Sequence, residues 1–322
     1  MKYFMTENEI MRTWKGDPSN PIVSICCITY NHEKYIRGTI EGFLIQKTEF
    51  PFEIVIHDDA STDNTAKILK NYAEQYPKLI FPIWQEENQY SRGVKIYPSC
   101  VWPKARGKYI ALCEGDDHWI DSRKLQNQMN FIEKNKDYIA VTENSIVRYD
   151  DGREILFSKK PSRDIKIEEV IKNRQFATAS ILFRNCIKFP VEFNGLIAGD
   201  TPLFILLLQK GKLKYFNRIT SIYSRGKQGV TYNFNRKIGD LEKLIIYYRT
   251  LDSYLNHNFK SIFKDHIAVN YLDIAKVSIK SKNFGSFFKN IYLYLKTKPN
   301  VIFTYLINLF KYKYKITKSF VP

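Results

Sequence analysis

Short apolar runs alternate with amphipathic stretches along the first half of the chain. Runs rich in β-branched and aromatic residues predict buried strands, and they lie at residues 22–28, 53–57, 79–84 and 109–113. After three of these runs, apolar side chains recur at the three- and four-residue spacing of amphipathic helices. The helical positions are Ile36, Ile40, Phe43 and Leu44, then Ile68, Leu69, Tyr72, Ala73 and Tyr76, and then Leu125, Met129 and Ile132, with the polar Gln128 on the same side. This alternation predicts an α/β fold with a mainly parallel central sheet.

Polar clusters follow three of the predicted strands directly. In open α/β sheets, ligands bind beyond the carboxyl ends of the strands, so clusters that are distant in sequence should meet at one edge. The residues concerned are Thr29, Tyr30 and Asn31, then Asp58 and Asp59, and then Glu114, Asp116 and Asp117.

Asp116 and Asp117 are adjacent carboxylates that repel each other, and a bound cation would relieve that repulsion. Oxygen ligands without His or Cys favour Mg²⁺ or Mn²⁺ over zinc. Such an ion would bridge to a diphosphate and neutralise its charge as it leaves. Each acidic cluster also has a structural alternative, because residues 58–63 suit a helix N-terminus and residues 117–121 suit a turn before a helix.

Composition narrows the class of protein. The 5 cysteines form no C-x-x-C pair, which favours a reducing cytoplasm over a disulfide framework or a zinc site. Residues 1–20 lack the apolar centre of a signal peptide. The apolar stretch at residues 301–310 is about half the length that crosses a bilayer, so we expect no transmembrane helix.

The formal net charge of +17 is concentrated in the tail. From residue 265 onward, ten lysines face two aspartates, and aromatic and aliphatic residues interleave with the lysines. Basic amphipathic helices of this composition can lie on an anionic membrane surface. A solvated helical hairpin with snorkelling lysines has the same pattern, so both interpretations stay open.

Taken in order, these motifs resemble those of family 2 glycosyltransferases with the GT-A fold. The resemblance rests on residues 23–31, 58–65 and 107–117, and residues 118–126 are similar to the branch that acts in bacterial surface-polysaccharide synthesis. It implies an N-terminal extension (1–20), a catalytic domain (21–235) and a basic helical C-terminal region (236–322). Within the catalytic domain it implies a nucleotide-sugar half (21–125) and an acceptor half (126–235).

The resemblance also implies roles for individual residues. Thr29, Tyr30 and Asn31 would line the nucleotide pocket with Asp58, and Asp59 would accept a hydrogen bond from uracil. Asp116 would serve the ribose and the metal, and Asp117 the metal and the diphosphate. Glu114 stands where the family has the first aspartate of a D-x-D-D pattern, which leaves its own role open.

Asp200 is the candidate catalytic base of the acceptor half. It precedes an apolar stretch at the start of a predicted helix, where it would take the proton of the acceptor hydroxyl. A capping role is the alternative, since Pro202 suits a first helical turn. Further candidate contacts with the acceptor or the diphosphate are Glu114, Trp119, Thr178, Ser180, Arg225 and Lys227, with Thr178 and Ser180 on a predicted strand.

The sequence therefore predicts an inverting, metal-dependent glycosyltransferase. The expected donor is a UDP-sugar and the acceptor a glycan or lipid-linked saccharide, with Mn²⁺ or Mg²⁺ as cofactor. The expected location is the cytoplasm, either free or peripheral on the inner face of the cytoplasmic membrane. A sugar-nucleotide nucleotidyltransferase is an alternative, although residues 29–32 are not the Gly-rich basic loop of that class. A basic nucleic-acid-binding protein is another, and the acidic motifs argue against it because they repel phosphates.

Overall fold

The computed structural model of the chain describes residues 5–226 and 237–298. The chain divides into two compact units, residues 1–232 and residues 233–322.

The first unit contains strands β1 to β10 and helices α1 to α6. The strands are β1 (Val23–Thr29), β2 (Phe52–Asp58), β3 (Ile80–Trp84), β4 (Tyr109–Leu112), β5 (His118–Trp119), β6 (Tyr138–Tyr149), β7 (Glu154–Leu156), β8 (Arg163–Ile165), β9 (Leu182–Arg184) and β10 (Lys212–Arg225). The helices are α1 (Glu7–Met11), α2 (Ile36–Leu44), α3 (Thr65–Gln75), α4 (Lys124–Lys134), α5 (Ile167–Lys172) and α6 (Asp200–Leu208).

These strands form one sheet in the order β3-β2-β1-β4-β9-β6-β10-β5, with β7 beside β6 and β8 beside β10. Parallel pairing joins β1 to β2 and β4, β2 to β3, and β6 to β10. Strand β9 lies antiparallel between β4 and β6, so both of those strands run in the direction of β1. The predicted α/β fold with a mainly parallel sheet is confirmed.

The strands that the sequence predicts have side chains that are buried in the core. Every residue of β2 is buried, as expected for a parallel strand covered on both faces. Helix α2 packs Ile36, Ile40 and Phe43 into the same core, and Ile10 of the N-terminal segment also lies there. The N-terminal segment therefore packs on this unit.

The predicted strand at Thr178 and Ser180 is wrong. Residues Thr178–Ser180 form a single 3₁₀ turn, and the strand begins only at Leu182. The turn is stabilised by the Ser180 hydroxyl and amide, which both donate to the carbonyl oxygen of Ala177. A local side-chain bond of this kind competes with strand pairing.

The second unit contains the helices α7 (Ile238–Tyr254), α8 (Lys260–Lys280) and α9 (Phe284–Thr297). A small apolar core joins them, formed by Leu241, Ile245, Ile267, Tyr271 and Ile274. The predicted C-terminal helices are thus present. Within residues 5–226 and 237–298, no helix is long and apolar enough to cross a membrane.

Candidate active site

Hydrogen bonds join the loops that follow β1 and β2, residues 30–35 and 59–64, which we call the laced loops. The Asn31 amide donates to the Ser61 hydroxyl at 2.9 Å, and the Asn31 side-chain oxygen accepts from the Thr62 amide at 2.8 Å. Asn31 has a φ of 54°, which Asn tolerates better than most residues. Further along, the Glu33 amide donates to the Asp63 carboxylate at 3.1 Å, and Glu33 accepts from the Asn64 amide at 3.1 Å. The two strand ends therefore form one connected platform.

Both aspartates at the end of β2 are buried and hydrogen-bonded to the main chain. Asp58 accepts from the Ser61 amide at 3.2 Å. Asp59 accepts from the amides of Gln89 and Tyr90, at 2.8 and 3.0 Å, in the loop after β3. Asp59 thus fixes a third loop at this edge of the sheet, and each of its oxygens keeps a lone pair for a further donor.

The turn after β4, residues 114–117 (the acidic turn), lies against the end of β1. The Gly115 amide donates to the carbonyl oxygen of Ile28 at 2.8 Å. A Cβ at position 115 would lie only 2.5 Å from the Thr29 hydroxyl and 2.8 Å from the His32 ring. Glycine is therefore required for this close approach.

The acidic turn brings its carboxylates into low-dielectric surroundings. Asp117 is 1% exposed and accepts from the Ser224 amide at 2.8 Å, at the end of β10. Burial, reinforced by Asp116 and Glu114, raises the pKa of Asp117 well above its ordinary value. Burial and the neighbouring Asp200 raise the pKa of Glu114 to about 8.

Asp200 is the first residue of α6 and faces this cluster. Its carboxylate accepts a hydrogen bond from the Thr178 hydroxyl at 2.9 Å and pairs with the Arg174 guanidinium at 3.1 Å. Gly199, not Asp200, occupies the N-cap position, and no side chain caps the helix. The capping alternative is therefore wrong, and the carboxylate contacts side chains of the acceptor half.

Arg174 links the two groups of carboxylates and was missed by the sequence argument. Its guanidinium lies over the Tyr223 ring at 5.1 Å and donates to the Thr178 hydroxyl. Burial opposes its charge, but Asp200, Tyr223, Glu114 and Asp117 outweigh burial and raise its pKa. The same guanidinium lowers the pKa of Glu114 and of Asp117, which identifies it as a shared counter-ion.

Lys95 is a second cation at this place. Burial lowers its pKa, against the attraction of Asp200. Its ammonium donates to the carbonyl oxygen of Leu196, just before α6.

Other predicted site residues lie elsewhere. Trp119 is buried, and its indole donates to the Ala179 carbonyl at 2.7 Å, so it presents no surface to a ligand. Ser180 is also fully buried, and its hydroxyl bonds to that of Thr142 at 2.5 Å. Arg225 is exposed and lies 5.8 Å from the Tyr149 ring, and Lys227 lies outside the described residues.

Tyr30, in the first of the laced loops, is 42% exposed, and Asp116 lies partly exposed between Glu114 and Asp117 in the acidic turn. The carboxylate oxygens of Asp116 and Asp117 are the hard donors that Mg²⁺ and Mn²⁺ prefer. Among the described residues, no three His, Cys, Asp or Glu side chains converge as a metal site. This donor set fits a cation that takes its other ligands from phosphate and water, the usual arrangement for Mg²⁺ at nucleotides.

Comparison with known proteins adds relatives by sequence. An uncharacterised protein of Mycobacterium tuberculosis is 33% identical over 215 residues, which cover 66% of this chain and 61% of that protein. This chain thus spans about three fifths of that relative's length. The Escherichia coli protein WfaP, a UDP-Glc:α-D-GlcNAc-diphosphoundecaprenol β-1,3-glucosyltransferase, is 28% identical over 203 residues, 63% of this chain and 76% of WfaP.

Among solved structures, the mannosyltransferase PcManGT of Pyrobaculum calidifontis, in complex with GDP-Man and Mn²⁺, aligns with a TM-score of 0.52. The alignment covers 94% of this chain and 86% of that one at 15% identity, so the likeness concerns the fold. The model of glycosyl transferase family 2 matches residues 24–187, about half of the chain. That stretch holds the laced loops, the acidic turn and Arg174, and the chain belongs to glycosyl transferase family 2.

Proposed function

We propose that this chain transfers a sugar from a nucleotide-sugar, with UDP as the nucleotide, to a hydroxyl group of a glycan or lipid-linked saccharide. The observation that carries the proposal is the ion pair of Asp200 with Arg174, together with the effect of both residues on the pKa of Glu114 in the acidic turn. Membership of glycosyl transferase family 2 supports the reaction type. The resemblance to WfaP, which uses UDP-glucose and a lipid-linked saccharide, supports this donor and acceptor class and a role in bacterial surface-polysaccharide synthesis.

The donor side uses the laced loops and the acidic turn. Thr29, at the end of β1, pairs with Asp58, and its carbonyl oxygen accepts from the Asp59 amide at 3.0 Å. Asp59 keeps acceptor capacity for a ring N–H of uracil. Mn²⁺ or Mg²⁺ held by Asp116 and Asp117 would neutralise charge on the diphosphate.

The acceptor side uses Asp200 as the base. In a single displacement, the acceptor oxygen forms a bond to the anomeric carbon as the bond from that carbon to the diphosphate breaks. The hydroxyl proton passes to Asp200, and the configuration inverts. Thr178 and Arg174 hold the carboxylate from one side, which leaves its other oxygen to face the acceptor.

Calorimetry of UDP binding tests the donor site. Wild-type protein should bind UDP more tightly with Mn²⁺ present than without it, and more tightly than GDP or dTDP. Asp117→Asn should lose the Mn²⁺-dependent part, whereas Asp164→Asn, which changes a carboxylate paired with Lys214 on β10, should bind like the wild type. Absence of nucleotide binding under every condition would overturn the proposal.

A salt titration separates this proposal from polyanion binding. UDP held by a metal and by specific contacts should still bind at moderate salt, because few charges are screened. Nucleic-acid binding driven by the net charge of +17 should fall steeply with log salt.

Asp200→Asn should bind UDP normally and lose turnover, which would assign Asp200 to the chemical step.

A further inference from the structure

Helix α9 carries three exposed aromatic side chains on one face, which we call the aromatic stripe. They are Phe284, Phe288 and Tyr292, exposed by 57%, 67% and 63%. Their spacing of four residues places them one above another along the helix. Scattered exposed apolar residues are ordinary, but a continuous row of aromatic rings marks a surface that contacts something.

The opposite face of α9 is already used within its own unit. Asn283 caps the helix by accepting from the Ser286 amide at 3.0 Å, and the Ser286 hydroxyl bonds to that of Ser278 on α8 at 2.8 Å. Leu293 and Tyr294 pack against the small core of this unit. Because these contacts fix the rotation of the helix, the stripe is held outward.

Both charged residues of α9 itself are lysines. Lys289 and Lys296 are exposed, and helical spacing places both on one flank of the stripe. From residue 274 to 298 the sequence has six lysines and no acidic residue, and its last arginine is Arg249. Flexible lysines that reach past apolar rings to phosphate are typical of helices lying in a membrane interface. Arginine is the residue that nucleic-acid sites favour for phosphate and base contacts, so its absence here favours lipid.

We propose that α9 docks on an anionic lipid surface, with the aromatic stripe at the boundary between headgroups and acyl chains and the lysines at the headgroup phosphates. The inference rests on the proposed function only for its purpose, since docking would hold the enzyme where a lipid-linked acceptor is found. The physical claim concerns the helix alone. It can therefore fail or succeed without the donor site.

Cosedimentation with vesicles tests the proposal on the full chain. The vesicles are phosphatidylcholine alone, or phosphatidylcholine with about one quarter phosphatidylglycerol, to supply negative surface charge. The test variant is Phe288→Ser/Tyr292→Ser. The matched control is Ile246→Ser/Val269→Ser, which removes two apolar side chains of similar exposure from α7 and α8.

The expected result is binding to the anionic vesicles that is about tenfold tighter than to the neutral ones. The aromatic variant should bind the anionic vesicles at least about tenfold more weakly, and the control within about twofold of the wild type. Equal binding by the aromatic variant and the wild type would overturn the proposal, because charge alone would then account for the binding.

Tighter binding of single-stranded RNA than of vesicles would also overturn it. UDP binding without vesicles is measured on the same variants as a separate readout. Vesicle binding without UDP binding would leave the docking surface standing and remove the proposed function, and the reverse result would do the opposite.

Discussion

Replacing Arg174 by Gln is the sharpest test of the site, because this one cation faces both Asp200 and the acidic turn. Gln keeps a polar planar group but loses the charge and the forked donor geometry. Arg174→Lys is the matched control, since it keeps the charge and loses the fork. If the guanidinium holds Asp200 in place for proton transfer, turnover should fall in both variants, and further in the Gln variant.

The magnitude follows from the contact at 3.1 Å between Arg174 and Asp200. Two unit charges about 4 Å apart interact by about 4 kcal/mol at an effective dielectric constant of 20. The Asp200 side chain is 41% exposed, so solvent screening reduces this to about 1 kcal/mol. We therefore expect the free energy of unfolding to fall by about 1 kcal/mol in the Gln variant.

The effect on catalysis should exceed the effect on stability. A base displaced by about 1 Å can lower turnover by about a hundredfold, so we expect a loss of about ten- to a hundredfold in kcat for the Gln variant. The assay is release of UDP from UDP-glucose with water as the acceptor, together with calorimetric UDP binding and urea unfolding. The dissociation constant of UDP should stay within about threefold of the wild type.

Two results would refute this reasoning. A kcat within about twofold of the wild type would show that Asp200 needs no partner to be positioned. A rise in the UDP dissociation constant with little change in kcat would instead assign Arg174 to the diphosphate.

Three further predictions concern stability. Gly115→Ala should lower the free energy of unfolding by about 1–3 kcal/mol, because the added Cβ would lie 2.5 Å from the Thr29 hydroxyl. The control Gly38→Ala has open space on α2 and should raise the free energy of unfolding by about 0.5–1 kcal/mol. Equal urea midpoints of the two variants would contradict this prediction. Burial lowers the pKa of His57, so the unfolded chain takes up a proton before the folded chain does as the pH falls through 6.5. The free energy of unfolding of the wild type should therefore drop between pH 7.5 and 5.5 by more than that of His57→Leu. Burial lowers the pKa of Lys124 from 10.5 to about 8, so between pH 8 and 10.5 the unfolded chain binds more protons than the folded chain. The free energy of unfolding of the wild type should therefore rise from pH 8 to 10 relative to that of Lys124→Met. Parallel curves of stability against pH for the two proteins would refute this prediction.

The strands and the polar clusters at their ends could be predicted because both are local signals. An apolar run such as residues 53–57 is buried on both faces, and its end point gives the position of Asp58 within a residue. Because parallel strands share one carboxyl edge, the meeting of the first two clusters follows from topology. Asp200 could be predicted as a helix start, but its contacts could not, and only the structure separates a cap from a side-chain network.

Arg174 gave no signal because its role depends on a long side chain and on distant pairing. It lies in a short polar stretch with no periodicity, and it meets the acidic turn only because β9 is inserted antiparallel between β4 and β6. Trp119 and Ser180 show the converse error. Their neighbours in sequence belong to the site, but successive side chains on a strand or a turn point in different directions. The side chains of Trp119 and Ser180 are therefore buried in the core.

The hydrogen bonds between the laced loops constrain how the sequence of these loops can diverge among relatives. Asn31 and Thr62 depend on each other, because the Thr62 hydroxyl donates to the Asn31 side-chain oxygen at 3.3 Å and the left-handed backbone at position 31 admits few alternatives. Glu33 and Asn64 are coupled in the same way. Among distant relatives we expect positions 31 and 61–62, and 33 and 63–64, to change together as sets while the strands beneath them vary one residue at a time. At this edge of the sheet, residues that bond to each other across the two loops should therefore be replaced together, so that the hydrogen bonds between the loops are kept.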